Sequence, residues 1–162
     1  MEAAISILLW LVAIGCGLMA GIYFAFSTFI MASLSKLPAP QGIAAMQSIN
    51  RVILRSPFMI LFFGTTLASA ALVIAGVISW GEKAAVMTVI AGDLYIFGMF
   101  VVTAVYNVPL NNKLDAVDAD GDEALDVWET YLRIWTRWNH ARTVACVVSC
   151  GLFIHVIMVR TA

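Results

Sequence analysis

Residues 3–35 read AAISILLWLVAIGCGLMAGIYFAFSTFIMASLS, 33 positions without a charge between Glu2 and Lys36. A helix crossing a bilayer needs about 20 apolar residues, with about 17 as the lower limit. The same test applied outward finds three more uncharged runs. Arg55 and Glu82 enclose 26 residues, Lys83 and Lys113 enclose 29 interrupted by Asp93, and Arg142 and Arg160 enclose 17. Inside lipid only helices and closed barrels satisfy the backbone. These runs are too long and too evenly apolar to alternate as barrel strands. The reading is an all-α integral membrane four-helix bundle with short interfacial helices. It forms a single membrane domain over 1–162, with spans at about 3–34, 57–79, 84–106 and 139–159. The first run lacks a basic flank and outlasts a signal peptide's apolar core, so it is expected to be a retained helix.

Composition agrees. Of 162 residues 62% are hydrophobic and 12% charged, where a soluble domain carries about a quarter charged. A globule of this size could not hide so much apolar surface, whereas lipid can cover it. A net charge of −1 without a basic stripe excludes nucleic acid as a partner. Lys36, Arg51, Arg55, Lys113, Arg133, Arg137 and Arg142 fall at one end of the spans, against Lys83 and Arg160 at the other. The positive-inside rule therefore places loops 35–56 and 107–138 in the cytoplasm and both termini outside, as in a bacterial inner membrane.

Between the spans, Pro38 and Pro40 break the chain. Ile43, Met46, Ile49 and Ile53 then recur at helical spacing, which predicts an amphipathic helix lying on the membrane. Trp128, Tyr131, Trp135 and Trp138 are spaced three, four and three, a second interfacial face leading into the last span. Helix three is expected to end at Asn107-Val108-Pro109. Gly17 and Gly21 carry the close-packing spacing and predict a homo-oligomer. The acidic loop after Lys113 fails as a calcium site, because Ala116 and Val127 would fall at ligand positions. Cys146, Cys150 and His155 drift off a common face, so no metal is expected.

Two groups of polar residues stand out. Asp93 is the only acid deep in a span. Counted from Tyr106, it lies at about the depth of His155 and Tyr23, which predicts an intramembrane pairing. The other group sits at the loop end of the bundle. There the end of helix three (Tyr106, Asn107, Asn111), the start of helix four (Trp135, Trp138, Asn139, His140, Arg142) and the amphipathic helix (Gln47, Asn50) should meet. His140 carries an imidazole, which can give and take protons. Arg142 can hold an anionic oxygen. Asparagines can orient either, and aromatic walls suit a flat ligand.

These residues also carry a resemblance. Asn107-Val-Pro-Leu-Asn111-Asn112 and Trp135-Thr-Arg-Trp138-Asn139-His140-Ala-Arg142-Thr143 resemble the hallmark of the anthrone-oxygenase-like family. Ala20-Gly-Ile-Tyr23-Phe-Ala-Phe-Ser27, Gln47-Ser-Ile-Asn50-Arg51 and Pro57-Phe58 fit it as well, so the likeness covers nearly the whole chain except the acidic loop. It implies a four-helix fold and, for some fungal members, cofactor-independent oxidation of anthrones by dioxygen. Asp93 lies outside the pattern. On that basis His140 would be the general base, and Arg142, Asn107 and Asn139 would hold the resulting enolate. Tyr106, Asn111, Trp135, Trp138, Gln47 and Asn50 would bind a lipophilic phenol or anthrone, and no cofactor is expected. The alternatives are a non-enzymatic protein holding a lipid, quinone or partner helix, and, on Asp93 alone, a small-molecule or proton transporter.

Overall fold

A computed structural model describes residues 2–161. Its helices are α1 (Glu2–Leu34), α2 (Ala39–Ile53), α3 (Phe58–Ile78), α4 (Ala85–Asp115) and α5 (Ala124–Thr161). All but α2 are long and apolar enough to cross a membrane, and the protein is an all-α membrane helical bundle. Around the bundle, α1 packs on α5 and α3, while α4 packs on α3 and α5.

Helix length explains where the site lies. At 1.5 Å per residue α3 spans about 32 Å, close to the hydrocarbon core of a bilayer, whereas α1, α4 and α5 reach about 50, 46 and 57 Å. Their far ends are level, since Glu2, Glu82, Lys83 and Arg160 line one shallow depression. The excess therefore projects from the opposite end, called here the long-loop end, where α2 also lies. Two cores follow. One runs up the bundle axis through Met19, Leu72, Tyr95, Met99 and Phe153. The second forms a cap of Met31, Ile43, Met46, Leu114, Trp128, Tyr131 and Trp135 beneath α2.

Small residues set the helix approach. A Cβ on Gly15 would strike Thr65 of α3. One on Gly76 would sit 3.1 Å from the Ala85 carbonyl, and one on Gly98 would sit 2.5 Å from the Ala145 Cβ. Gly42 lets α2 lie on the Trp128 ring, where a Cβ would come within 2.8 Å of Cζ2. The α3–α4 turn uses Gly81 at φ 102°, where glycine alone is unstrained.

Several expectations need correcting. Helix α4 does not stop at Asn107 but continues to Asp115. Pro109 is accommodated because a π-helical turn over Thr103–Asn107 precedes it, with Val108 N–H donating to the Thr103 carbonyl. The Trp128–Trp138 segment is not a separate interfacial helix. It is the start of α5, and Trp128, Tyr131 and Trp135 are buried. Helix α2 exists as expected, but protein covers its apolar face: Ile43 and Met46 belong to the cap core. Gly17 and Gly21 are both exposed: a Cβ on Gly17 would lie 3.6 Å from Cys150 Sγ of α5, in ordinary contact, and nothing lies within 4 Å of one on Gly21, so this stripe faces outward.

Candidate functional site: a buried arginine at an aromatic cavity

Where the two cores meet, no helix fills the corner beside the start of α3. The gap is a cavity of about 260 Å³ lined from every helix and dominated by apolar side chains. Phe62, Phe63 and Phe100 form one wall, with centroid separations of 5.2–6.2 Å. Phe26 and Trp135, edge to face at 5.7 Å, form part of another. Leu54, Phe63, Ala104 and Val108 line the cavity and are exposed, so it opens on an apolar flank between α3 and α4. Four π-helical turns surround it: Phe26–Ile30, Ile96–Val101, Thr103–Asn107 and Tyr131–Trp135. Such turns rotate the side chains that follow them and recur at functional sites.

Arg142 reaches this cavity from α5. Among the described residues it is the only charged side chain that is buried, at 4% exposure. Its guanidinium stacks 4.2 Å from the Tyr23 ring centroid and 5.2 Å from that of Trp135. Nη1 donates to Thr103 Oγ1 at 3.2 Å and Nη2 to Asn139 Oδ1 at 2.7 Å. Nε has no partner. Among the described residues no carboxylate forms an ion pair with it: the one ion pair is the exposed Arg51–Asp115, at 2.7 Å. An isolated buried cation costs several kcal/mol. Aromatic faces and neutral acceptors offset part of that. The arrangement suits an anionic oxygen on an otherwise apolar ligand. Among the described residues no group of three His, Cys, Asp or Glu could hold a metal ion.

A family model described as anthrone oxygenase matches residues 58–152, more than half of the chain. The chain belongs to the anthrone oxygenase family. Neither a curated protein nor a solved structure matches it. The matched stretch contains Arg142, Asn139, Asn111 and Trp135, whereas the Tyr23 and Asn50 segments precede it.

In this anthrone oxygenase family member the residues expected to meet are only partly brought together. Trp135, Asn111, Asn50 and Arg142 line the cavity. Asn111 Oδ1 accepts from Tyr131 Oη and Trp135 Nε1, each at 2.8 Å, and Asn50 Nδ2 donates to Tyr131 Oη at 3.5 Å. These two asparagines thus hold the aromatic wall. Asn139 is buried behind Arg142, donating at 2.7 Å to both the Tyr23 carbonyl and Ser27 Oγ while accepting from the guanidinium. It positions the cation.

Other candidates lie elsewhere. His140 is exposed and does not line the cavity. The reason is helical: Asn139 points inward, and its neighbour is turned about 100° away. Asn107 is buried but bonds the Trp135 carbonyl at 3.2 Å, tying α4 to α5. Gln47 donates to the Leu114 and Val117 carbonyls, both at 2.9 Å, pinning α2 to the end of α4. Tyr106 and Trp138 stack on each other at 3.7 Å, outside the cavity. Asp93 pairs with neither His155 nor Tyr23. It is half-buried without a hydrogen bond among the described residues, His155 is exposed, and Tyr23 Oη donates to Met99 Sδ at 3.5 Å. The pairing fails because Tyr23 sits beside Asn139 and Met99, nearer the long-loop end than Asp93, and His155 faces out of the bundle. Tyr23 belongs to the cavity instead. Thr103, Phe62, Phe100 and Tyr131 were not anticipated. Of these only Tyr131 carried a signal, its place in the aromatic stripe.

Proposed function

We propose that the cavity binds a flat, lipophilic phenol or anthrone as its anion and promotes oxidation of that anion by dioxygen. The observation that carries this reading is Arg142, a buried cation without a counter-ion, facing an aromatic cavity. Family membership supports an oxygenase-like relationship. An anthrone interconverts with its phenolic tautomer, whose oxyanion spreads charge onto the ring carbon opposite. Placing that oxyanion against Arg142 favours ionisation, since low dielectric strengthens the attraction. The carbanionic form is electron-rich enough to reduce dioxygen directly. The aromatic walls hold the rings flat and exclude bulk water, and the apolar flank admits a ligand dissolved in lipid.

The test is oxygen uptake by the purified protein in detergent with an anthrone as substrate. Arg142→Leu should slow uptake by about 100-fold or more, the scale of losing one oxyanion-stabilising group. His140→Ala should match the wild type. An Arg142→Leu variant that consumes oxygen at the wild-type rate ends this reading.

A second reading rests on the cavity's lack of a carboxylate or imidazole among its lining residues. A protein that holds an anionic lipophile or quinol without converting it needs no such base. Lipid extraction and mass spectrometry of the purified protein separate the two. A stoichiometric retained lipophile, with no oxygen uptake, favours binding alone.

A further inference from the structure

The proposed oxidation must move protons inside the cavity, and few lining groups can do so. Arg142 does not give up its proton in proteins, and the Asn50 and Asn111 amides and the Trp135 indole do not ionise. Thr103 is engaged as the acceptor of Arg142 Nη1 at 3.2 Å. Tyr23 remains. It is 4% exposed, lines the cavity, and carries a phenol that can give and take a proton. Its hydroxyl donates only to Met99 Sδ, at 3.5 Å. A thioether is a weak acceptor, so the hydroxyl gives up little by turning from it to a bound ligand. The same sulfur lies 4.0 Å from Thr103 Oγ1, which places the phenol beside the Arg142–Thr103 pair. The guanidinium above the Tyr23 ring is ready to stabilise negative charge on its oxygen.

We propose that Tyr23 is the proton shuttle of the cavity, a role that rests on the oxygenase reading above. The bound anion passes two electrons from its activated carbon to dioxygen, and a C–O bond forms, leaving a peroxide anion. The Tyr23 O–H bond breaks as its proton goes to the outer peroxide oxygen. A hydroperoxide and a tyrosinate result. The tyrosinate then takes the hydrogen left on the same carbon. The C–H electron pair becomes the second bond of a new carbonyl, the O–O bond breaks, and hydroxide leaves with the O–O pair. The substrate anion and dioxygen have become a quinone and hydroxide, and the Tyr23 phenol is restored. Arg142 faces one negative charge at each stage.

The experiment compares wild type, Tyr23→Phe and Arg142→Leu as purified full-length chains in detergent. Alizarin, a hydroxylated anthraquinone whose visible absorption reports ionisation, serves as an unreactive probe of the cavity. Tyr23→Phe should bind alizarin within about threefold of wild type. It should form quinone about 100-fold more slowly or worse, the usual range for losing a general acid–base. Iodometric peroxide should accumulate, because the hydroperoxide has lost its base; a merely structural tyrosine would not produce that signature. Quinone formation by Tyr23→Phe at the wild-type rate, with Arg142→Leu inactive, overturns the shuttle and leaves the oxyanion reading standing. Loss of alizarin binding in Tyr23→Phe assigns the hydroxyl to holding the cavity and also overturns it. A wild type that binds alizarin but never forms quinone overturns both.

Discussion

Asp93 and Arg142 are both ionisable groups in spanning helices, and their surroundings differ. Arg142 has two hydrogen bonds and two aromatic faces. Asp93 has no hydrogen bond among the described residues and is half-buried. An aspartate at a helix centre costs about 2.5–3.5 kcal/mol on insertion scales. Without a partner to recover that cost, Asp93→Leu should hold or raise the apparent Tm in detergent and leave alizarin binding unchanged. A fall in Tm would mean that the carboxylate has a stabilising contact. The contrast also marks what the sequence could tell at this scale. Asn139, Arg142 and Thr143 stand at i, i+3 and i+4, so their shared face was legible. Arg142 contacts Tyr23 and Thr103 across the bundle, which no local spacing encodes.

Among the elements, the number of helices and the ends of α1 and α3 were legible, whereas the end of α4 and the start of α5 were not. Gaps between charges mark where lipid begins and stops. Helices α4 and α5 continue past that boundary, because the cap core gives them a second apolar environment outside the span. Helix α2 closes the cap through Gly42. A Cβ there would meet Trp128 Cζ2 at 2.8 Å and the Leu34 carbonyl oxygen at 3.0 Å. Overpacking of this kind costs about 1–3 kcal/mol. An alanine would recover about 1 kcal/mol through helix propensity, and the β-branched valine recovers less. Gly42→Val should therefore lower the apparent Tm and weaken alizarin binding, since α2 carries Met46 and Asn50 into the cavity. Gly151→Ala, on an α5 surface with nothing within 4 Å of the added carbon, is the matched control and should lose neither. Equal Tm values for the two variants would mean that α2 does not depend on this close approach.

For the molecule as a whole, orientation decides from which side of the membrane the cap and its cavity are reached. Helices of alternating direction put loops 35–56 and 116–123 at the same end. We propose that this end is cytoplasmic. Arg142 is taken into the fold, yet Lys36, Arg51, Arg55, Lys113, Arg133 and Arg137 remain exposed there, against Lys83 and Arg160 at the other end. Arg51 is paired with Asp115, but acidic residues contribute little to topology, so the bias survives the pairing. Cys16, Cys146 and Cys150 all lie in spanning helices and can be replaced to give a cysteine-free background. In that background, Glu82→Cys should react with an impermeant maleimide added to intact cells. Asp120→Cys should react only after the cells are opened. Both positions are exposed in the fold, so access is limited by the membrane alone. Labelling of Asp120→Cys in intact cells would reverse the orientation and place the cap and its cavity at the outer face.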